Sequence, residues 1–230
     1  MRLRLILPGL FALVLIMAAC APPPNLRDES LLQDTSLIDS EPCAAPCWRG
    51  IIPGVTTWSD ARTILEDDTT LQNLQIQQDE NSNARAAIWE QKDGSGCCQM
   101  FSSEDGELVN VLFLRTAPNI DLEELFGVHG EPTYAVSSEF SDDQAIVNLI
   151  YPDVPMVIYA FVAGPNASLT ENSEVIAVLY LPPEDMELVI QTSNLHAWEG
   201  YADFQTYSSA EGSAFEVTPS VTLTPTPSGE

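Results

Sequence analysis

Five cysteines carry most of the chemistry open to this 230-residue chain, and their spacing sorts them into three groups. Cys43 and Cys47 stand four positions apart in "EPCAAPCWRGIIPGVT", Cys97 and Cys98 are adjacent, and Cys20 follows the small pair Ala18-Ala19. Thiols placed like this bind a metal, exchange disulfides or staple a chain, and the redox compartment decides among the three. Zinc needs tetrahedral ligands, which neighbours on one strand, pointing to opposite faces, supply poorly. Thioredoxin-type exchange uses C-x-x-C and c-type haem attachment C-x-x-C-H, and neither spacing occurs. The only imidazoles are His129, in "FGVHGEP", and His196, before Trp198. G-x-S-x-G, H-E-x-x-H, P-loop and Rossmann glycine patterns are missing from the sequence, so the expectation is a protein without catalytic role, cofactor or metal.

The compartment is read from the N-terminus. Arg2 and Arg4 precede an apolar run from Ile6 to Met17 that is too short to span a bilayer, which is the layout of an export signal over residues 1–19. Ala18-Ala19-Cys20 resembles a bacterial lipobox, with Met17 standing where leucine is usual. That resemblance implies diacylglyceryl transfer to the Cys20 thiol and cleavage before it. Dozens of buried methylenes at roughly 0.8 kcal/mol each would make such an anchor durable. The expected partner is therefore the membrane, through lipid on Cys20. Ala21 in place of Asp resembles lipoproteins sorted to the outer membrane where a cell has one.

Charge narrows the remaining partners. The chain holds 34 acidic and 8 basic residues; without residues 1–19 it holds 6 basic, a net charge of −28. Nucleic acid is excluded, because phosphate recognition needs Lys and Arg. Arg115 is the last basic residue, and residues 116–230 carry 18 acidic ones. Such a half repels anionic surfaces; its acidity serves solubility and mutual repulsion at a crowded surface, or else recruits divalent cations or a basic partner.

An oxidising exterior makes disulfides the default for the four cysteines left once Cys20 is acylated. Joining Cys43 to Cys47 and Cys97 to Cys98 would form one tight and one vicinal ring, so bridges between the two segments are expected instead. A link from Cys47 to Cys97 or Cys98 closes a loop of about fifty residues, worth roughly 4 kcal/mol in the chain-entropy account. One bridge with two free thiols is the alternative.

Turn chemistry and periodicity set the framework that holds these groups. Residues 20–41, "CAPPPNLRDESLLQDTSLIDSE" including Cys20 and Pro22 to Pro24, suit a flexible spacer, and 208–230 a disordered Thr/Pro/Ser-rich tail. Between them Thr57 and Asp60 form a capping-box pattern opening a helix whose face holds Trp58, Ala61, Ile64 and Leu65. Four strand-like runs come next: Leu71 to Gln78, Ala84 to Gln91, Cys97 to Ser102 and Glu107 to Arg115. The pattern then restarts with a short helix from Asp121 to Phe126, stopped at Gly127, and runs at Thr133 to Phe140, Gln144 to Tyr151, Met156 to Ala163 and Glu174 to Leu181. The expected fold is α+β: two tandem units, 42–118 and 119–207, each a short helix followed by a four-stranded antiparallel sheet.

"GIIPGVTTWSDARTILEDD" and "DLEELFGVHGEPTYAV" resemble the helix-to-sheet pattern of BamE/SmpA-like small lipoproteins and of β-lactamase-inhibitor-protein-like modules, over about a third of the chain. The resemblance implies noncatalytic work, binding or bracing an envelope protein. A further candidate is "HAWEGYADFQTY", where Trp198, Tyr201, Phe204 and Tyr207 recur every third residue. On one helical face these rings either pack across the sheet or expose a stacking platform for a sugar or a partner. The function expected is therefore a membrane-anchored extracytoplasmic lipoprotein that binds or supports another protein, with carbohydrate or small-ligand binding as the alternative.

Overall fold

The computed structural model describes residues 25–208. The signal segment, Cys20 and the tail beyond Ser208 lie outside the described residues. Two helices and four strands make the first half: α1 (Ser36–Asp39), α2 (Trp58–Asp67), β1 (Leu71–Gln78), β2 (Arg85–Gln91), β3 (Gly96–Ser102) and β4 (Val109–Arg115). The second half holds α3 (Leu122–His129), β5 (Tyr134–Ser141), β6 (Gln144–Tyr151), β7 (Met156–Val162), β8 (Val175–Tyr180), α4 (Pro183–Thr192), β9 (His196–Ala197) and a 3₁₀ turn at Phe204–Tyr207.

These strands do not divide into two tandem four-stranded units. They form one antiparallel sheet in the order β1-β2-β3-β4-β8-β7-β6-β5-β9. The two meanders meet edge to edge, with Leu112 opposite Tyr180, Phe113 opposite Leu179, Leu114 opposite Val178 and Arg115 opposite Ala177. The reason lies in β8, "VIAVLY", where all six residues are buried. A strand apolar on both faces cannot serve as a solvated edge, and pairing with β4 removes two open ladders at once.

The sheet buries both faces unequally. On the first face Met100, Leu112, Leu114, Leu149 and Ile158 pack with Trp58, Ala61 and Leu65 of α2, Leu122 and Leu125 of α3, and Phe204 and Tyr207 from the C-terminal segment. On the second, Val136, Ile150, Val157 and Leu179 pack under Met186, Val189 and Ile190 of α4. α4 begins at Pro183 with Glu184 and Asp185 in its first turn, which complements the helix dipole.

Both capped helices follow their sequence signals. Thr57 accepts from the Asp60 N–H, and Asp121 and Glu124 close a reciprocal capping box. α3 nevertheless runs through Gly127 and stops at Gly130, whose φ of 73° suits a residue without Cβ.

The expected spacer, where it is described, is part of the core. Leu31, Leu32 and Leu37 are buried, and Leu32 bridges Thr116, donating to the Arg115 carbonyl at 3.2 Å and accepting from Ala117 at 2.9 Å. Trp48 anchors the stretch leading into α2: its ring stacks on Trp89 at 5.9 Å, and its Nε1 donates to Asp34 at 2.9 Å. Arg49 lies 4.7 Å over the Trp48 ring and pairs with Asp68 at the end of α2.

Burial pushes the Asp68 carboxyl up, but the Thr70 hydroxyl and N–H, together with Arg49, outweigh it and hold Asp68 below the ordinary carboxylate range. A depressed carboxyl contributes stability that is complete above its unfolded value and disappears as pH falls through the folded one. Asp68→Asn therefore destabilises the protein at neutral pH and ceases to matter in acid well below 3.8. Urea midpoints of the two forms should separate at neutral pH and converge in strong acid; a constant gap would refute the linkage.

Candidate functional site

All four cysteines of the folded part are bridged, but locally: Cys43 with Cys47, and Cys97 with Cys98. The cross-segment bridges expected from sequence do not form. In β3, Cys98 pairs with Trp89 and Gly96 with Glu90, which leaves Cys97 as the extra residue of a β-bulge. The bulge breaks the strict alternation of faces, so the two sulfurs meet despite being neighbours. Both cysteines are buried in the core. With these sulfurs bonded to one another, no thiolate of the four remains to hold zinc.

The "HAWEGYADFQTY" stretch is not a helix. β9 pairs with β5, Trp198 N–H donates to the Thr133 carbonyl at 3.0 Å, and the chain turns at Gly200, φ 92°, before the 3₁₀ turn. Phe204 and Tyr207 point into the core, and the Tyr207 hydroxyl donates to the Gly200 carbonyl at 2.6 Å and accepts from Glu199 N–H at 3.1 Å. Trp198 is half-buried, and Tyr201 is 43% exposed. The expected stripe thus splits into three packing rings and one that faces solvent.

A ring from another element completes the site. Phe126 of α3 stacks on Tyr201 at 5.6 Å and meets Trp198 edge-on at the same distance, while Trp198 stacks on Tyr207 at 5.5 Å. Sequence reasoning misses Phe126 because its partners lie more than seventy positions away, as Tyr201 does. The one available signal is its place beside Leu125 on a capped amphipathic helix.

Carboxylates surround the exposed ring. Burial raises the Tyr201 hydroxyl above its ordinary value, and the charges of Glu171, Glu123, Glu131 and Asp121 raise it further. Burial likewise raises Tyr207; the Glu199 N–H donated to its hydroxyl works against this, and the charges of Glu199 and Glu131 add to the rise. Among the described residues of this half there is no Lys or Arg, and Arg27, from the N-terminal segment, pairs with Glu174. The result is an aromatic face in a negative field, complementary to an ammonium or guanidinium through ring quadrupole and carboxylate together.

The histidines do not join a catalytic pair. His129 Nε2 donates to the Leu37 carbonyl at 2.7 Å, with its ring 6.4 Å from Tyr151, and His196 sits in β9 opposite Ala135. No protein-family model, curated protein or solved structure matches this chain.

Proposed function

We propose that this chain is an extracytoplasmic lipoprotein, anchored through Cys20 to the cell membrane, or to the outer membrane of a cell that has two, and that it binds a basic partner protein without catalysis. The observation that carries the binding role is the exposed Tyr201 ring, stacked on Phe126 and set among Asp121, Glu123, Glu131 and Glu171 with no cation of its own half to neutralise them. A Lys or Arg side chain from a partner would lie over the ring and exchange water for carboxylate oxygens. The layout of residues 1–20 supports the anchor and an exterior in which both disulfides persist.

The anchor and the surface are tested separately. Metabolic labelling with a fatty acid should mark the wild-type chain in the membrane fraction, and Cys20→Ala should be unlabelled and soluble. An unlabelled wild type would end the lipoprotein reading. An arginine-rich peptide should bind in a salt-sensitive way, and Tyr201→Ala should weaken it about two- to fivefold, the reach of an exposed cation–π contact. Equal affinity for the same peptide with citrulline in place of arginine would refute the basic-partner role.

A further inference from the structure

The second face of the sheet is covered by α4 only over its middle and far strands. Val111 and Phe113 of β4 still pack against the cluster under α4, whereas over β1 to β3 that cluster contributes nothing, and Gln75 beside Ile88 and Ile88 beside Gln99 face each other across the ladders there. A concavity of roughly 180 Å³ opens there, with Arg115 on one wall and Gln75, Gln99 and the Gly96–Cys98 bulge on the others.

Arg115 is one of three cations, with Arg85 and Lys92, that no ion pair neutralises among the described residues. Among the described residues no ion pair or side-chain hydrogen bond engages its guanidinium, although the chain carries 34 acids. Burial lowers its pKa, and Asp28 acts on it only as a charge at a distance. Glu90 shares the concavity and does not neutralise it; the amides of Asn73 and Gln72 take that carboxylate at 2.6 and 3.4 Å. The side-chain amides of Gln75 and Gln99 are also without a hydrogen-bond partner among the described residues. A half-buried guanidinium with five donors and two amides converging on one small space is a set of groups awaiting an acceptor.

We propose that this concavity binds the carboxylate of a small polar ligand, with Arg115 taking the carboxylate through its planar fork and Gln75 and Gln99 taking neighbouring hydroxyl or amide groups. A carboxylate fits the fork bidentately, and a single negative charge suits one guanidinium inside a strongly acidic protein better than a phosphate dianion. The Cys97–Cys98 bridge holds the bulged wall in place before the ligand arrives, which limits the ordering cost of binding. The same chemistry occurs on acidic sugars and on peptide C-termini. The site stands on its own residues, on the opposite face from the aromatic patch, and does not depend on the basic-partner role.

The test uses the full chain labelled with ¹⁵N-arginine and follows the Arg115 side-chain resonance. The probes are glucuronate and N-acetyl-alanine, with glucose and N-acetyl-alaninamide as their uncharged counterparts. Saturable shifts with one or both acids and none with the neutral pair are expected, with dissociation constants in the millimolar range typical of so small a ligand. Response to glucuronate alone assigns an acidic sugar; response to both assigns the carboxylate itself. Arg115→Gln should weaken binding about tenfold or more. Gly96→Leu gives an independent check: Gly96 lines the concavity and a Cβ there meets no atom within 4 Å, so a larger side chain is accommodated at its wall without disturbing the backbone. With an unchanged unfolding midpoint, Gly96→Leu should also lose binding. Absence of saturable shifts with either acid, equal shifts from the neutral probes, or unimpaired binding by Gly96→Leu overturns the proposal.

Discussion

Replacing Trp48 by alanine should lower the unfolding free energy by about 3–5 kcal/mol, the cost of deleting a large buried aromatic side chain. Trp48 is 1% exposed, and its indole does three jobs at once. It stacks on Trp89 of β2, it donates to Asp34 at 2.9 Å, and it carries the Arg49 guanidinium on its face. Truncation opens a cavity between the N-terminal segment and the sheet and leaves Asp34 Oδ2 without its indole donor. The loss should therefore appear first in residues 31–41, as faster amide exchange and easier proteolysis, and then in the global urea midpoint. A change below about 1 kcal/mol, the range of ordinary surface substitutions, would mean that this segment is a spacer resting on the fold rather than part of it.

That segment marks where the sequence is hardest to read. "LRDESLLQDTSLID" is rich in acids and short side chains, and its proline-rich approach suits a spacer. Its three leucines that become buried, Leu31, Leu32 and Leu37, follow neither a helical nor a strand period, because Leu31 and Leu32 lie at a bend and an isolated bridge and Leu37 in the four-residue α1. Their partners, Thr116 for Leu32 and His129 at the Leu37 carbonyl, are more than eighty residues away and invisible to any local pattern.

Strand positions are legible because glycine, aspartate and asparagine turns separate the apolar runs. Gln144–Tyr151 and Leu71–Gln78 end where the turn residues say they should. Their assembly is not, since two meanders and one long sheet share the same local pattern. The clue is present in Val175–Tyr180, an unbroken apolar run without the alternation of a half-exposed edge. The helix at Pro183–Thr192 has its own signal, Pro-Pro followed by two acids and spaced apolar residues, and it covers the far half of the second face. Disfavouring the vicinal bridge rests on an argument valid for regular strands, and a single inserted residue at Cys97 removes its premise. At the aromatic patch the sequence offers Tyr201 only as one of four recurring rings; which of them faces outward, and the stacking partner from α3, are set by the tertiary fold.

The join between β4 and β8 leads to the second large effect. Val178→Asp places a carboxylate opposite Leu114 on one side and Ile158 on the other, at a position 2% exposed. Burying an unpaired charge there should cost about 4 kcal/mol or more, a large part of the roughly 5–15 kcal/mol that holds a typical domain together. The diagnostic is where the damage spreads. Two independent units would confine it to residues 119–207 and leave the Trp48–Trp89 stack in the first half intact. A continuous sheet transmits it, because Leu114 and Val178 belong to one buried cluster that also contains Trp48, Trp89 and Met100. Hydrogen exchange should therefore accelerate together in β2, β3, β6 and β7, with one denaturant transition seen by every probe. Leu188→Ser, on the exposed side of α4 at 57% exposure, is the matched control and should change stability by no more than about 0.5 kcal/mol. Protection retained in β2 and β3 while β6 and β7 exchange freely would show that the seam joins two separate folding units.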